Sequence, residues 1–180
     1  MILLLNGAFG VGKTTVARLL VARIEGAVIY DPESWGYLLQ QLPPWILGRA
    51  NRLEDYQDLG LWRQMIARGI RRRHRTASPV IVPMAFTDAT YFTELTKALA
   101  TEAQVEALCL VAPIEIVTER LERRAQLAGR SVSEFERRRS RECVAAHFSP
   151  VFGRAVDATR VAGQVAGEIA DFLRRADAAA

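Results

Sequence analysis

The sequence contains few lysines and few cysteines, and its excess of positive charge is small. Lys13 and Lys97 are the only lysines among the 24 basic residues, and the formal net charge is only +4. The basic run RRRHR at 71–75 ends an amphipathic helical pattern and has no aromatic residues for base stacking, so we expect no nucleic-acid partner. Cys109 and Cys143 lack the spacing of a metal site or a CxxC motif, and we expect two reduced thiols.

Long apolar runs are also missing. No segment approaches the roughly 20 apolar residues of a membrane-spanning helix. The apolar start at 1–5 is too short for a signal-peptide core and has no basic region before it. We therefore expect a cytoplasmic protein without stable membrane insertion, and nothing indicates an oligomeric state. A chain of 180 residues without a linker is long enough for one domain, 1–180, with a substantial core.

Short apolar runs alternate with amphipathic helical patterns along the whole chain. The predicted strands cover residues 2–6, 27–30, 79–84, 105–111 and 154–159. The predicted helices cover residues 13–25, 61–75, 90–100, 113–128, 133–147 and 161–175. Because the strands are mostly apolar throughout, they are typical of buried parallel strands. The alternation predicts an α/β fold with helices on both faces of an open sheet, which binds ligands at the carboxyl ends of its strands.

A phosphate-binding pattern, G-x-x-x-x-G-K-[ST], lies between the first strand and the first helix as GAFGVGKT at 7–14. Gly10 and Gly12 leave backbone N–H groups free to approach phosphate oxygens, beside the positive end of the helix. Lys13 can reach the β- and γ-phosphates, and the Thr14 hydroxyl can bind Mg²⁺. The pattern predicts a nucleoside triphosphate site made by Gly7, Ala8, Phe9, Gly10, Val11, Gly12, Lys13, Thr14 and Thr15.

Asp31 ends the second predicted strand, in the sequence VIYDPE, at the edge where a ligand would bind. A carboxylate at this place can accept a proton from an acceptor hydroxyl or hold a metal-bound water. Asp31 before Pro32 and Glu33 is also a good start signal for a helix, and the two roles are compatible. We predict a functional role for Asp31, in catalysis and at the metal.

A second basic cluster follows the fourth predicted strand. On a helix, Arg120 and Arg124 project from one face because they lie four residues apart. We predict that the region 118–141 is a lid whose arginines contact phosphate and base, and which excludes water. The alternative is a solvated helix face with glutamates as ion-pair partners, which we favour for the arginines at 137–141.

Two irregular segments are expected to shape an acceptor site through their positions near the same sheet edge. The segment 32–60 contains two adjacent prolines and several aromatic residues, and we predict that it is a substrate-side insert. The segment 85–95 follows the third strand and also contains aromatic residues. Apolar and aromatic walls of this kind are typical of small-molecule pockets.

The chain resembles the bacterial tunicamycin-resistance proteins, which are small P-loop ATP-binding proteins of the nucleoside-monophosphate-kinase-like and shikimate-kinase-like group. The resemblance runs from residue 1 to about residue 175. It is carried by NGAFGVGKT at 6–14, YDPE at 30–33, LWR at 61–63, IVPM at 81–84, RLERRAQLAGR at 120–130 and CVAAHFSPVF at 143–152. Very many families share the phosphate loop, whereas NGAFG, DPE and IVPM in this order are more specific.

The resemblance implies a three-layer P-loop NTPase fold. Its five-stranded parallel sheet has the order 2-3-1-4-5, with helices on both faces and a short helical lid. ATP and Mg²⁺ are the implied cofactors. By similarity, Arg120 stacks on adenine, Arg124 reaches the phosphates as a catalytic residue, and Arg160, in VDATR at 156–160, lies beside adenine. Asp31 matches the acid that orients or deprotonates the acceptor.

The third strand departs from many P-loop enzymes, which keep a metal-water aspartate at its end. The sequence IVPMAF has no acid there, and Asp88 lies four residues beyond Met84. This spacing argues against a metal role for Asp88. Asp31 is then expected to serve both the acceptor and the metal.

The resemblance implies an ATP-dependent phosphotransferase that acts on a hydroxyl of a small molecule. A nucleoside antibiotic such as tunicamycin is a candidate acceptor, and antibiotic resistance is a candidate role. In that mechanism Lys13 and Arg124 stabilise the charge on the moving phosphoryl group, and Asp31 aligns the acceptor. One alternative is a non-catalytic protein that sequesters the drug and uses ATP only to close its lid, and another is a housekeeping metabolite kinase.

Overall fold

The computed structural model describes residues 1–32 and 56–178 of the chain. The predicted substrate-side insert at 32–60 lies mostly outside these described residues, and so does Glu33. Within them, five parallel strands form one sheet with the order β2-β3-β1-β4-β5. The predicted α/β fold and strand order are therefore confirmed.

Every predicted strand and helix is present, with small changes at the ends. The strands are β1 (Ile2–Gly7), β2 (Val28–Ile29), β3 (Val80–Met84), β4 (Val105–Val111) and β5 (Arg154–Asp157). The helices are α1 (Lys13–Val21), α2 (Gly60–His74), α3 (Ala89–Ala100), α4 (Ile114–Leu127), α5 (Glu134–Ala146) and α6 (Ala162–Ala178). The largest difference is at α1, predicted to reach residue 25, because the backbone N–H of Arg23 donates to Leu20, three residues back, and tightens the last turn.

Strand β1 lies at the centre of the sheet because apolar side chains cover both of its faces. Leu3 and Leu5 pack with side chains from α1, α4 and α6 on one face. Ile2 and Leu4 pack with side chains from α2 and α3 on the other. All four are fully buried, and burial of this kind stabilises the fold by about 1.5–3 kcal/mol for each such side chain. The result is the predicted three-layer arrangement.

The two cysteines are buried, and neither forms a disulfide. Burial raises the pKa of the Cys109 thiol to about 12, so the thiol is protonated at neutral pH. The prediction of two reduced thiols is confirmed. In the described part of the chain, no helix combines the length and the apolar character that crossing a bilayer requires.

Candidate functional site

The loop between β1 and α1 has the backbone shape that its glycines predict. Gly10 and Gly12 have φ angles of 84° and 112°, in the region that favours glycine. Gly12 is the N-cap residue of α1, and no side-chain hydrogen bond caps this helix end. The N–H groups of the first turn of α1 therefore face the loop without a capping oxygen, which is the arrangement that attracts an anion.

Gly10 has a second role that the sequence analysis missed. A Cβ atom at Gly10 would lie 2.6 Å from the Cγ atom of Leu121 and 2.9 Å from the carbonyl oxygen of Val117. Both residues belong to α4, so the missing side chain allows this helix to lie directly against the loop. A contact across more than 100 residues of sequence leaves no local pattern from which to predict it.

The ammonium group of Lys13 lies at the centre of the loop. The residue is only 8% exposed, and its Nζ donates hydrogen bonds to the carbonyl oxygens of Gly7 (2.8 Å) and Ala8 (3.0 Å). The same atom lies 5.5 Å from the centre of the Phe9 ring. A buried ammonium needs such compensation. Lysine has three N–H donors, and within the described residues the third has no hydrogen-bond acceptor.

A cavity of about 330 Å³ lies over this loop and α1; we call it the phosphate cavity. It is lined by Phe9, Gly10, Gly12, Lys13, Thr14, Thr15, Asp31, Pro83, Arg120 and Arg124. The fold thus brings together most of the loop, the acid after β2 and both arginines of α4. Three predicted loop residues, Gly7, Ala8 and Val11, do not line the cavity, and Pro83 is a lining residue that the sequence analysis missed.

The acidic side chains near the sheet edge have different positions. Asp31 is exposed and lines the phosphate cavity together with three cationic residues, Lys13, Arg120 and Arg124. Its alternative role as the cap of a following helix falls on residues that the structure does not describe. Asp88 instead caps α3, because its Oδ1 accepts a hydrogen bond of 2.9 Å from the backbone N–H of Tyr91. The described residues contain no cluster of three or more His, Cys, Asp or Glu side chains that could hold a metal.

Arg120 connects three segments around the phosphate cavity. Its guanidinium donates to the carbonyl oxygens of Val11 (3.0 Å), Ala158 (2.8 Å) and Thr159 (3.3 Å). The first is in the phosphate loop and the other two follow β5. These bonds fix the plane of the guanidinium between the loop and the segment in which the resemblance places the adenine contact.

Arg124 is held by a carboxylate that the sequence analysis did not single out. Arg124 pairs with Glu136 at 2.8 Å, and Arg130 donates two further hydrogen bonds, of 2.8 and 2.9 Å, to the same carboxylate. Glu136 also accepts from the backbone N–H of Ser133, and its own N–H donates to the Ser133 hydroxyl in a capping box. The hydrogen bond from Arg130 is the main cause that lowers the pKa of Glu136 to about 2. We call Glu136 with its two arginines the lid clamp.

The expectation of a solvated face for the arginines at 137–141 is wrong for Arg139. Arg137 and Arg138 do form ion pairs with glutamates, as that expectation implies. Arg139 also pairs with a glutamate, Glu142, at 2.9 Å, but it is not solvated, because it is only 8% exposed and donates to the Thr87 hydroxyl at 3.3 Å. The reason is that this face of α5 packs on the segment that follows β3.

Arg160 does not line the phosphate cavity. It lies in the loop before α6, where it pairs with Asp157 and with Glu168. The hydrogen bond to Glu168 raises the pKa of Arg160 above its usual value. Arg160 shares its loop with Ala158 and Thr159, whose carbonyls accept hydrogen bonds from Arg120. Its predicted position beside adenine stays a prediction.

A buried hydrogen-bond network lies next to the loop. The Asn6 side chain accepts from the backbone N–H of Phe86 at 2.9 Å, and its Nδ2 donates to the Phe86 carbonyl at 3.2 Å. The Nε2 of His147 lies 2.8 Å from the same carbonyl and 3.2 Å from the Nδ2 of Asn6. Burial lowers the pKa of His147 to about 4. The network joins β1, the segment after β3 and the end of α5.

A family model described as an AAA domain matches residues 2–149. A comparison with curated protein sequences finds no match. The chain is similar to the tunicamycin resistance protein of Deinococcus radiodurans, with 28% identity, 96% of this chain and 94% of that chain covered, and a TM-score of 0.73. The resemblance predicted from the sequence is confirmed by this similarity.

Two kinases share the fold at lower identity. A gluconokinase from Sinorhizobium meliloti 1021 is 18% identical, with 96% of this chain and 91% of that chain covered and a TM-score of 0.64. A shikimate kinase from Acinetobacter baumannii is 17% identical, with 97% and 93% covered and a TM-score of 0.60. At these identities the similarity shows a kinase-like P-loop fold and nothing finer.

Proposed function

The chain belongs to the AAA-domain family, and from this premise we propose that it is an ATP-dependent phosphotransferase that acts on a hydroxyl group of a small molecule. One observation carries the proposal. The phosphate cavity combines the loop, the ammonium of Lys13, the hydroxyl of Thr14, the carboxylate of Asp31 and the guanidinium of Arg124. A site for phosphoryl transfer needs these groups together: cations for the phosphates and an acid for the acceptor.

The loop fits a triphosphate in two respects. The first turn of α1 presents N–H groups that no side chain caps, and Lys13 has an N–H donor directed to no described acceptor. Thr14 and Asp31 are the residues that would hold Mg²⁺. When bound, Mg·ATP supplies the phosphoryl group and the metal that neutralises part of its charge.

The other residues then have distinct tasks. Asp31 orients the acceptor hydroxyl and accepts its proton, because it is the carboxylate among the lining residues. Arg124 stabilises charge on the phosphoryl group, and the lid clamp holds its guanidinium at the cavity wall. Arg120 stacks on the base, and its three carbonyl partners fix the plane that the base would meet.

The acceptor is proposed from similarity. The relative from Deinococcus radiodurans is a tunicamycin resistance protein, so a nucleoside antibiotic such as tunicamycin is the first candidate and antibiotic resistance the candidate role. A metabolite kinase is the second candidate, because a gluconokinase and a shikimate kinase share the fold. A protein that binds the drug without transfer is the third.

Transfer of label from γ-labelled ATP tests the proposal. The protein is incubated with Mg²⁺, labelled ATP and tunicamycin, gluconate or shikimate in separate reactions. We expect label on one acceptor, loss of transfer in Asp31→Asn with ATP affinity retained, and normal transfer in Asp88→Asn. The second variant is a matched control, since Asp88 caps α3 and does not line the cavity, and asparagine is also a good cap. ATP binding without label on any hydroxyl compound would favour the sequestering protein.

A further inference from the structure

A second open space adjoins the phosphate cavity at Asp31. It has a volume of about 820 Å³ and runs between the end of β2 and one side of α2. We call it the arginine groove and define it by Tyr30, Asp31, Arg68, Arg72, Arg73 and Thr76. Because Asp31 lines both spaces, a molecule in the groove reaches the carboxylate that the proposed function assigns to the acceptor hydroxyl.

The arginines of the groove differ from two neighbouring arginines, Arg71 on the same helix and Arg75 directly after it. Arg71 and Arg75 both pair with Glu102 of the segment after α3. Within the described chain, the guanidinium groups of Arg68, Arg72 and Arg73 form no ion pair or hydrogen bond. Three guanidinium groups that are in no ion pair among the described residues therefore line a space that also contains the carboxylate of Asp31, and Arg68 and Arg72 lie one turn apart on the same helix face.

Tyr30 lines the groove and packs against Gly69 of α2. Gly69 lies inside α2, and a Cβ atom there would overlap the hydroxyl of Tyr30. A glycine in the middle of a helix weakens it, so the missing side chain serves to admit the phenol. Burial raises the pKa of Tyr30, which keeps the phenol neutral and able to donate a hydrogen bond. The groove thus contains a placed hydroxyl as well as its cations.

We propose that the arginine groove binds an anionic group, a carboxylate or a phosphate, of the acceptor. This inference rests on the proposed function and narrows it to the metabolite-kinase candidate, since tunicamycin has no carboxylate or phosphate: the acceptor is an acid whose hydroxyl lies at Asp31 while its anionic group lies on Arg68 and Arg72. Guanidinium forks bind both kinds of oxyanion in two-point hydrogen bonds. Repulsion from Asp31 places the anionic group toward the arginines and away from the reacting hydroxyl.

Three small molecules of the same carbon number test the groove. The protein is first saturated with Mg²⁺ and a non-hydrolysable ATP analogue, so that the phosphate loop is occupied. It is then titrated with glycerol, glycerate and glycerol 3-phosphate by calorimetry. We expect one or both anions to bind at least about tenfold more tightly than glycerol, and the tighter of the two identifies a carboxylate or a phosphate group.

Variants of α2 locate the binding. Arg72→Gln and Arg68→Gln are each expected to weaken anion binding about tenfold, the loss of one charge-assisted hydrogen bond. Arg75→Gln makes the same change directly after this helix and outside the groove, and it is expected to leave binding unchanged. Thermal unfolding of each variant checks that the fold is intact.

Two results of the titrations would overturn the inference: equal binding of all three molecules, or anion binding that Arg68→Gln and Arg72→Gln leave unchanged. Binding of a single-stranded oligonucleotide that needs Arg72, without binding of either small anion, would also overturn it. Failure of the ATP analogue to bind would refute the proposed function instead, and titration without it would still test the groove.

Discussion

The imidazole of His147 is a buried base between three segments of the fold. It is only 5% exposed, and burial favours its neutral form, whereas the hydrogen bond to the Phe86 carbonyl acts in the opposite direction and raises its pKa. Burial is the main cause that lowers its pKa to about 4, and the positive charges of Lys13 and Arg139 act in the same direction. The unfolded chain, in which histidine has its ordinary pKa near 6.5, therefore binds more protons than the folded protein between pH 6.5 and 4.

The pKa of His147 predicts how stability depends on pH. The free energy of unfolding should fall as the pH falls from about 6.5 to 4, by up to about 3 kcal/mol. Urea unfolding at several pH values measures this. His147→Asn should remove most of the dependence in this window, whereas His74→Asn should leave the His147 part in place. If the free energy of unfolding of His147→Asn depends on pH as strongly as that of the wild type, other groups cause the dependence.

Gly10 is expected to be intolerant of substitution for two physical reasons. Its φ of 84° strains any residue with a side chain, and its Cβ would collide with Leu121 and Val117 of α4. Gly10→Ala should lower the free energy of unfolding by roughly 1–3 kcal/mol. Gly167→Ala is the control, since nothing lies within 4 Å of its Cβ position in α6, and it should stabilise the protein by about 0.4–1 kcal/mol. Equal effects of the two changes in urea unfolding would contradict this account of the loop.

At the scale of elements, the lid clamp joins α4 to α5. Glu136 belongs to the capping box of α5 and also binds Arg124 and Arg130. The phosphate loop contacts the same helix, because the Phe135 ring packs edge-on against Phe9 at 6.2 Å. These contacts couple the position of Arg124 to the first turn of α5 and, through it, to the loop.

Glu136→Gln should loosen this hairpin. The substitution removes the negative charge that holds two arginines and weakens the cap, at a cost of about 1 kcal/mol. Hydrogen exchange should become faster in the last turn of α4 and the first turn of α5. Glu134→Gln, an exposed change in the same turn, should leave exchange nearly unchanged. Equal exchange rates in the two variants would argue against the clamp.

Most elements could be predicted from the sequence, because their signals are local. The alternation of apolar runs and the pattern at 7–14 lie within short windows, and the structure has the strands, helices and glycine φ angles that they predict. The partners of Arg120 could not be predicted, since they lie 38, 39 and 109 residues away along the chain. The capping pattern Ser133-x-x-Glu136 was the one local signal for the clamp.

At the scale of the whole molecule, the sheet order creates the candidate site. Strand β1 lies between β3 and β4, so the loop after β1 meets the end of β3 on one side and α4, which follows β4, on the other. This order was implied by the resemblance to a known family, whereas the periodic pattern alone predicted only an open parallel sheet. The candidate site residues could be chosen from sequence motifs. The distances between them could be read only from the folded structure.

The affinity for Mg·ATP tests the central claim, that the loop with Lys13 at its centre binds the triphosphate. Calorimetry should show that Mg·ATP binds the wild-type protein. In Lys13→Ala the affinity should be roughly 10- to 100-fold lower, because the substitution removes one charged hydrogen bond. Lys97→Ala, a change of the other lysine, which does not line the phosphate cavity, should bind as the wild type does. If neither Mg·ATP nor Mg·GTP binds the folded wild-type protein, or if Lys13→Ala binds equally well, the claim is contradicted.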